Sequence, residues 1–180
     1  MIQITNYNNL NDWLYIVPAV VLVDFIVVCL AKYPGRNPYF KIQSLDKWYE
    51  SFGIFAIGSD VLSILIGIMI TRYIYTSFDL HNPLYFLAIL LLFQLFHDML
   101  FYMFVIQPMP KGHNTMIDVF KEYGLENGAK ILGADALMML FSVLTASLLK
   151  YLPPHYTIAT LFITLYSFCY IIFTRKPVVD

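Results

Sequence analysis

The chain has 180 residues, of which 59% are hydrophobic and only 13% charged, with a net charge of −1 and a mean hydropathy of +0.68. Soluble domains are typically less apolar and roughly twice as charged, so the composition argues for a membrane protein, and the near-zero net charge argues against a general nucleic-acid binder. Cys29 and Cys169 both lie in apolar runs, with neither zinc-ligand spacing nor a disulfide framework.

The opening residues MIQITNYNNLN are polar and uncharged, with no basic n-region and no small-residue cleavage site, so a cleaved signal peptide is not expected. A first span is predicted over about 13–31, with Pro18 in its first turns, where a missing backbone donor costs least. Asp24 lies just past its middle. A basic linker with Pro34, Gly35 and Pro38 leads to a long second span, about 45–76, capped by Ser44. Trp48 and Tyr49 suit the headgroup level. Gly53, Ala56, Asp60, Ser63 and Gly67 recur at steps of three and four, a small and polar stripe suited to close helix approach in lipid.

The third span, about 84–107, contains FLAILLLFQLFHDMLFYMFVI. It is long enough to cross a bilayer, which takes ~20 residues, yet it carries Gln94, His97, Asp98 and Tyr102. Helical periodicity stacks Gln94, Asp98 and Tyr102 on one face with His97 beside them. A carboxylate at the bilayer centre costs ~2.5–3.5 kcal/mol on insertion scales, so this face must look at other helices. Thr115 with Asp118 resembles a capping box, opening a short amphipathic helix at about 115–123 that suits the membrane surface. A fourth span at about 130–149 carries Asp135, and a fifth at about 155–174 carries only hydroxyls inside.

The expected fold is therefore all-α: a single domain over 1–180, an integral membrane bundle of five transmembrane helices plus one interfacial helix. Nine of the 11 basic residues then fall on one side, leaving only Arg72 and Lys150 on the other. The positive-inside rule places the N-terminus outside and the C-terminus in the cytoplasm. With ~1.5 Å of rise per residue, Asp24, Asp60, Asp98 and Asp135 share one depth in the cytoplasmic half, with His97 nearby. Neighbouring carboxylates repel, so at least one should hold a proton near neutral pH unless a cation sits among them.

Three readings follow from that chemistry. A proton or cation channel or transporter would use Asp24, Asp60, Gln94, His97, Asp98, Tyr102 and Asp135. A structural protein would use the same groups to fix helix packing, each carboxylate bonded to hydroxyls on its neighbours. An intramembrane enzyme would hold a metal on Asp60, Asp98, Asp135 and His97. No haem, retinal or nucleotide is expected: His97 has no second intramembrane histidine, the last span has no lysine, and no phosphate loop appears. No catalytic motif lifts the enzyme reading, so an enzyme is not the favoured class.

WYESFGIFAIGSDVLSILIG, QLFHDMLFY and NTMIDVFKEYGLENGAKILGADALMM resemble an uncharacterised family of small multi-pass membrane proteins encoded by large DNA viruses of algae and protists. That resemblance implies a host or virion membrane. The structural reading adds a viral scaffold or capsid partner, and a homo-oligomer is the other partner expected beside the lipid bilayer. It implies no activity.

Overall fold

The computed structural model describes residues 2–33 and 42–174. The described residues form helices only: α1 Trp13–Lys32, α2 Gln43–Phe52, α3 Ile54–Ser77, α4 Pro83–Phe101, α5 Thr115–Asn127, α6 Lys130–Leu149 and α7 Pro154–Ile171. Four helical stretches are long and apolar enough to cross a membrane, namely Leu10–Lys32, Ile54–Ser77, Pro83–Ile106 and Lys130–Leu149. The fifth expected span, α7, falls outside that set.

The expected span at 45–76 is two helices. Gly53 has φ +51°, a left-handed conformation that residues with a Cβ adopt only with strain. It ends α2 and turns the chain into α3. Composition explains the break, because QSLDKWYESF is amphipathic whereas IFAIGSDVLSILIGIMITRYIYTS is apolar nearly throughout. Ser44 is not the cap of α2; it lies inside the helix, and the carboxylate of Glu126 supplies the capping acceptor instead. Likewise Thr115 does not cap α5. Asn114 does, accepting from the amides of Met116 and Ile117, while Asp118 accepts from the amide of Gly112. The helix also runs past Gly124 to Asn127 and stops at Gly128, φ +54°.

α1, α3, α4 and α6 close a four-cornered ring in which α1 and α4 each touch both α3 and α6. α7 stands outside the ring along α1, with Phe168 set edge-on to Phe25 at 5.2 Å. The ring interior is filled by Ile64, Ile68, Leu90, Met139 and Val143, all buried, and large apolar side chains such as Leu62, Leu92, Phe96 and Phe141 face outward. A soluble protein could not leave that surface bare. α2 and α5 pair at one end of the ring, where Trp48 meets Phe120 at 4.7 Å and Lys47 bridges Glu122 at 2.6 Å. Phe120 also packs edge-on against Phe101 of α4.

α3 crosses close to α6 at Gly67. A Cβ there would lie 2.3 Å from Met139 Cε and 3.3 Å from the Phe93 ring. Ser63, placed on the same stripe by sequence, instead faces outward, and the inward positions are Ala56, Ile64, Gly67 and Ile68. Gly67→Leu is therefore expected to cost about 1–3 kcal/mol through overpacking. Ser63→Leu should stay within ~0.5 kcal/mol. Thermal unfolding in detergent compares the two, and equal effects would mean that α3 turns another face inward.

Candidate functional site

Each of the four ring helices carries one aspartate. Asp24 is on α1, Asp60 on α3, Asp98 on α4 and Asp135 on α6. At ~1.5 Å per residue all four lie roughly 8–12 Å from the end of their span that α2 and α5 cover.

Their surroundings differ. Asp60 Oδ2 accepts from Trp48 Nε1 at 3.2 Å. Asp98 Oδ1 accepts from Gln94 Nε2 at 2.7 Å and stands 3.2 Å from His97 Nδ1. The His97 ring is stacked between Phe93 and Phe101. The other oxygen, Asp98 Oδ2, is buried without a partner. Asp24 is fully buried, and neither of its oxygens has a partner. Asp24 lies within electrostatic reach of Asp60, and Asp135 within reach of both Asp98 and Asp60. Of these groups only His97 and Asp98 touch; Asp135, Asp60 and Asp24 follow at longer, electrostatic range, from the half-exposed His97 to the fully buried Asp24.

Two tyrosines of the surface helices close the cluster. Burial and then the charges of Asp60, Asp24 and Asp135 push the Tyr49 hydroxyl well above its ordinary range. Tyr123 is pushed up by burial and then by Asp135, Asp60 and Glu126. Both remain protonated at neutral pH. Beyond them, Glu126 clasps the start of α2 by accepting from the amides of Gln43 (2.9 Å) and Ser44 (2.8 Å) and from the Ser44 hydroxyl. Partial burial raises the Glu126 carboxyl slightly, but these bonds outweigh it and hold the group below its ordinary value.

Among the described residues no serine or threonine hydroxyl bonds a ring aspartate carboxylate. Ser142 bonds Met138 O, Ser147 bonds Val143 O, Thr160 bonds Tyr156 O and Thr164 bonds Thr160 O, each within its own helix. Interhelical neutralisation of the aspartates by serine or threonine is therefore not the arrangement adopted.

Tyr102 stands apart from the cluster. Tyr102 begins a π-turn, Tyr102–Ile106, in which the amide of Gln107 reaches back to Tyr102 O at 2.8 Å. Its side chain is half exposed and makes no hydrogen bond to Asp98. Metal ligation by Asp60, Asp98, Asp135 and His97 also lacks its geometry. Among the described residues no three His, Cys, Asp or Glu side chains converge as a metal ion requires.

Sequence reasoning missed Trp48 and Tyr49, which the Gly53 turn folds back over the ring, and Tyr123 of α5. It also missed a second polar centre at the opposite end. Asp12, 1% exposed, accepts from Arg72 Nη2 at 3.1 Å, Lys150 Nζ at 2.6 Å and Asn9 Nδ2 at 2.9 Å. Arg72 is wholly buried; it also donates to Asn6 O and Asn9 O, and stands over the Trp13 ring at 5.5 Å. Lys150 donates to Gln3 O at 2.7 Å, and Thr76 Oγ1 accepts from the Tyr7 amide at 2.9 Å. The readable signal was Arg72 itself, an arginine inside an apolar helix that must find an acid.

Comparison with protein-family models, curated proteins and solved structures finds no match to this chain. Its function is argued from the geometry above.

Proposed function

We propose that this chain is a membrane protein that binds and relays protons through the four ring aspartates. The observation that carries the reading is Asp24, a fully buried carboxyl with two unpartnered oxygens within electrostatic reach of Asp60 on the adjacent helix. A bare buried carboxylate is among the costliest arrangements a fold can keep. A proton relieves it with a single oxygen, whereas a metal cation needs several oxygens converging on one point. Among the described residues no such convergence is found, and a proton fits the site without it.

On this reading α7 is a fifth span. Its 18 residues reach about 27 Å at 1.5 Å each, close to the thickness of a bilayer core. The N-terminal end of the bundle then faces outward and the α2–α5 end the cytoplasm. Lys32, Lys47, Lys111, Lys121 and Lys130 support this orientation at the α2–α5 end, against Arg72 and Lys150 at the other. Arg36, Lys41, Arg175 and Lys176, which the sequence assigns to the same side, lie outside the described residues.

Proton uptake after a pH jump, followed in detergent with a pH dye and by infrared difference spectroscopy, tests the reading. The protein should show a reversible carboxylic C=O band from a dry site, and Asp24→Asn should remove it. Absence of any such band would leave the aspartates as packing devices.

A further inference from the structure

The ring carries a tightly packed, largely apolar layer between its two polar centres, in which Thr71 and Ser142 are buried hydroxyls. Ile68, Leu90, Met139 and Val143 are all buried there, and Met139 reaches across the ring to Gly67. Protons held at Asp24 cannot pass such a layer while it is closed. What holds it closed at its far end is visible. Asp12, at the start of α1, grips Arg72 of α3 and Lys150 at the end of α6 with one carboxylate. Three of the four ring helices are thereby drawn together at a single point. Residues 2–12 lie across that point, with Ile4 fully buried and Tyr7 packed edge-on against Tyr73 at 5.4 Å.

The junction is not a simple packing solution. Arg72 Nε and Nη1 are buried with no hydrogen-bond partner, so the guanidinium is only partly satisfied. Buried ion pairs give little net stability compared with apolar replacements, yet breaking one partner is costly.

We propose that the Asp12–Arg72–Lys150 junction is a latch that keeps the carboxylate site closed to the N-terminal face. Its release lets the outer ends of α1, α3 and α6 part and the Met139 layer take up water. This rests on the proton-relay reading and adds to it a gate on the face away from α2 and α5. Both polar centres then have one role in one cycle, since a relay that opened to both faces at once would be a leak.

The test uses Met139→Cys in a chain whose Cys29 and Cys169 are serine, in lipid nanodiscs with a membrane-impermeant maleimide. Thiol labelling should be slow with the latch intact. It should rise at least about tenfold with Asp12→Asn, a change of ~1.4 kcal/mol in the opening equilibrium. Tyr7→Ala with Thr76→Val frees the N-terminal segment without touching a buried charge and should raise labelling in the same direction, which covers the case in which Asp12→Asn does not fold. A disulfide between Tyr7→Cys and Tyr73→Cys, formed before the Met139→Cys thiol is exposed, should suppress labelling in the Thr76→Val background. Unchanged labelling in the released variants, with proton uptake at Asp24 intact, overturns the latch alone. Loss of proton uptake from the parent protein overturns the relay on which it rests.

Discussion

Asp12→Ala should be among the most damaging single substitutions in this chain, costing about 3–5 kcal/mol, the range measured when one partner of a buried pair is removed. The reason is the company Asp12 keeps. Arg72 is 0% exposed and would retain its charge with the carbonyls of Asn6 and Asn9 and the Trp13 ring to answer it. Lys150 is 24% exposed at its side chain and can turn to water, so most of the loss is on Arg72. Asp12→Leu combined with Arg72→Met removes both charges and should recover most of the stability lost by either change alone. Unfolding in detergent measures the cycle. Additive losses would mean that Asp12 and Arg72 act independently and that no junction exists.

Asp24 should behave in the opposite way. Asp24→Val replaces a carboxyl that has no partner by an apolar group of similar size in an apolar surround, and should stabilise the bundle by about 1–3 kcal/mol, the cost of an unsatisfied buried polar group. The same change should abolish the proton-dependent carboxylic band. Gained stability with lost function is the mark of a residue kept for its chemistry. Should Asp24→Val instead destabilise the protein by that amount, the carboxyl would be holding helices together, and the packing role would be the correct one.

Much of this was readable in the chain. The apolar runs at 13–31, 84–107 and 130–149 correspond to α1, α4 with its π-turn, and α6 within a few residues, because length and hydropathy are local properties. That each of four helices brings an aspartate to one end of the bundle followed from counting residues along each run. The second span was misread because a glycine inside an apolar pattern does not announce its φ. With that turn unseen, the bond from Trp48 to Asp60 was unseen too. The N-terminal junction was also invisible locally, since Asn6, Asn9 and Asp12 are neighbours of Arg72 and Lys150 only after folding. Asp98, with Gln94 and His97 on its own helix, looked like the centre of the site for the same reason. Its partners were legible, whereas the isolation of Asp24 is a property of three helices at once.

The largely apolar layer above Asp24 has an electrical consequence. About 18 Å of α1 separates Asp24 from Asp12 at ~1.5 Å per residue, and the buried side chains in that part of the ring are mostly apolar, Ile16, Val20, Ile68, Leu90 and Val143 among them, with the small hydroxyls of Thr71, Ser142 and Ser147 between them. A membrane voltage falls mainly across its least polarisable slab. Most of the drop therefore lies between the two polar centres, where a full traverse is worth ~2.3 kcal/mol per charge at 100 mV. On the proton-relay reading, a proton reaching Asp24 from the α2–α5 end would cross little of that field, so loading would follow the acidity on that side. Passage onward would cross nearly all of it. A relay built this way would separate a chemical step, sensitive to concentration, from an electrical step, sensitive to voltage, with Asp24 at the boundary.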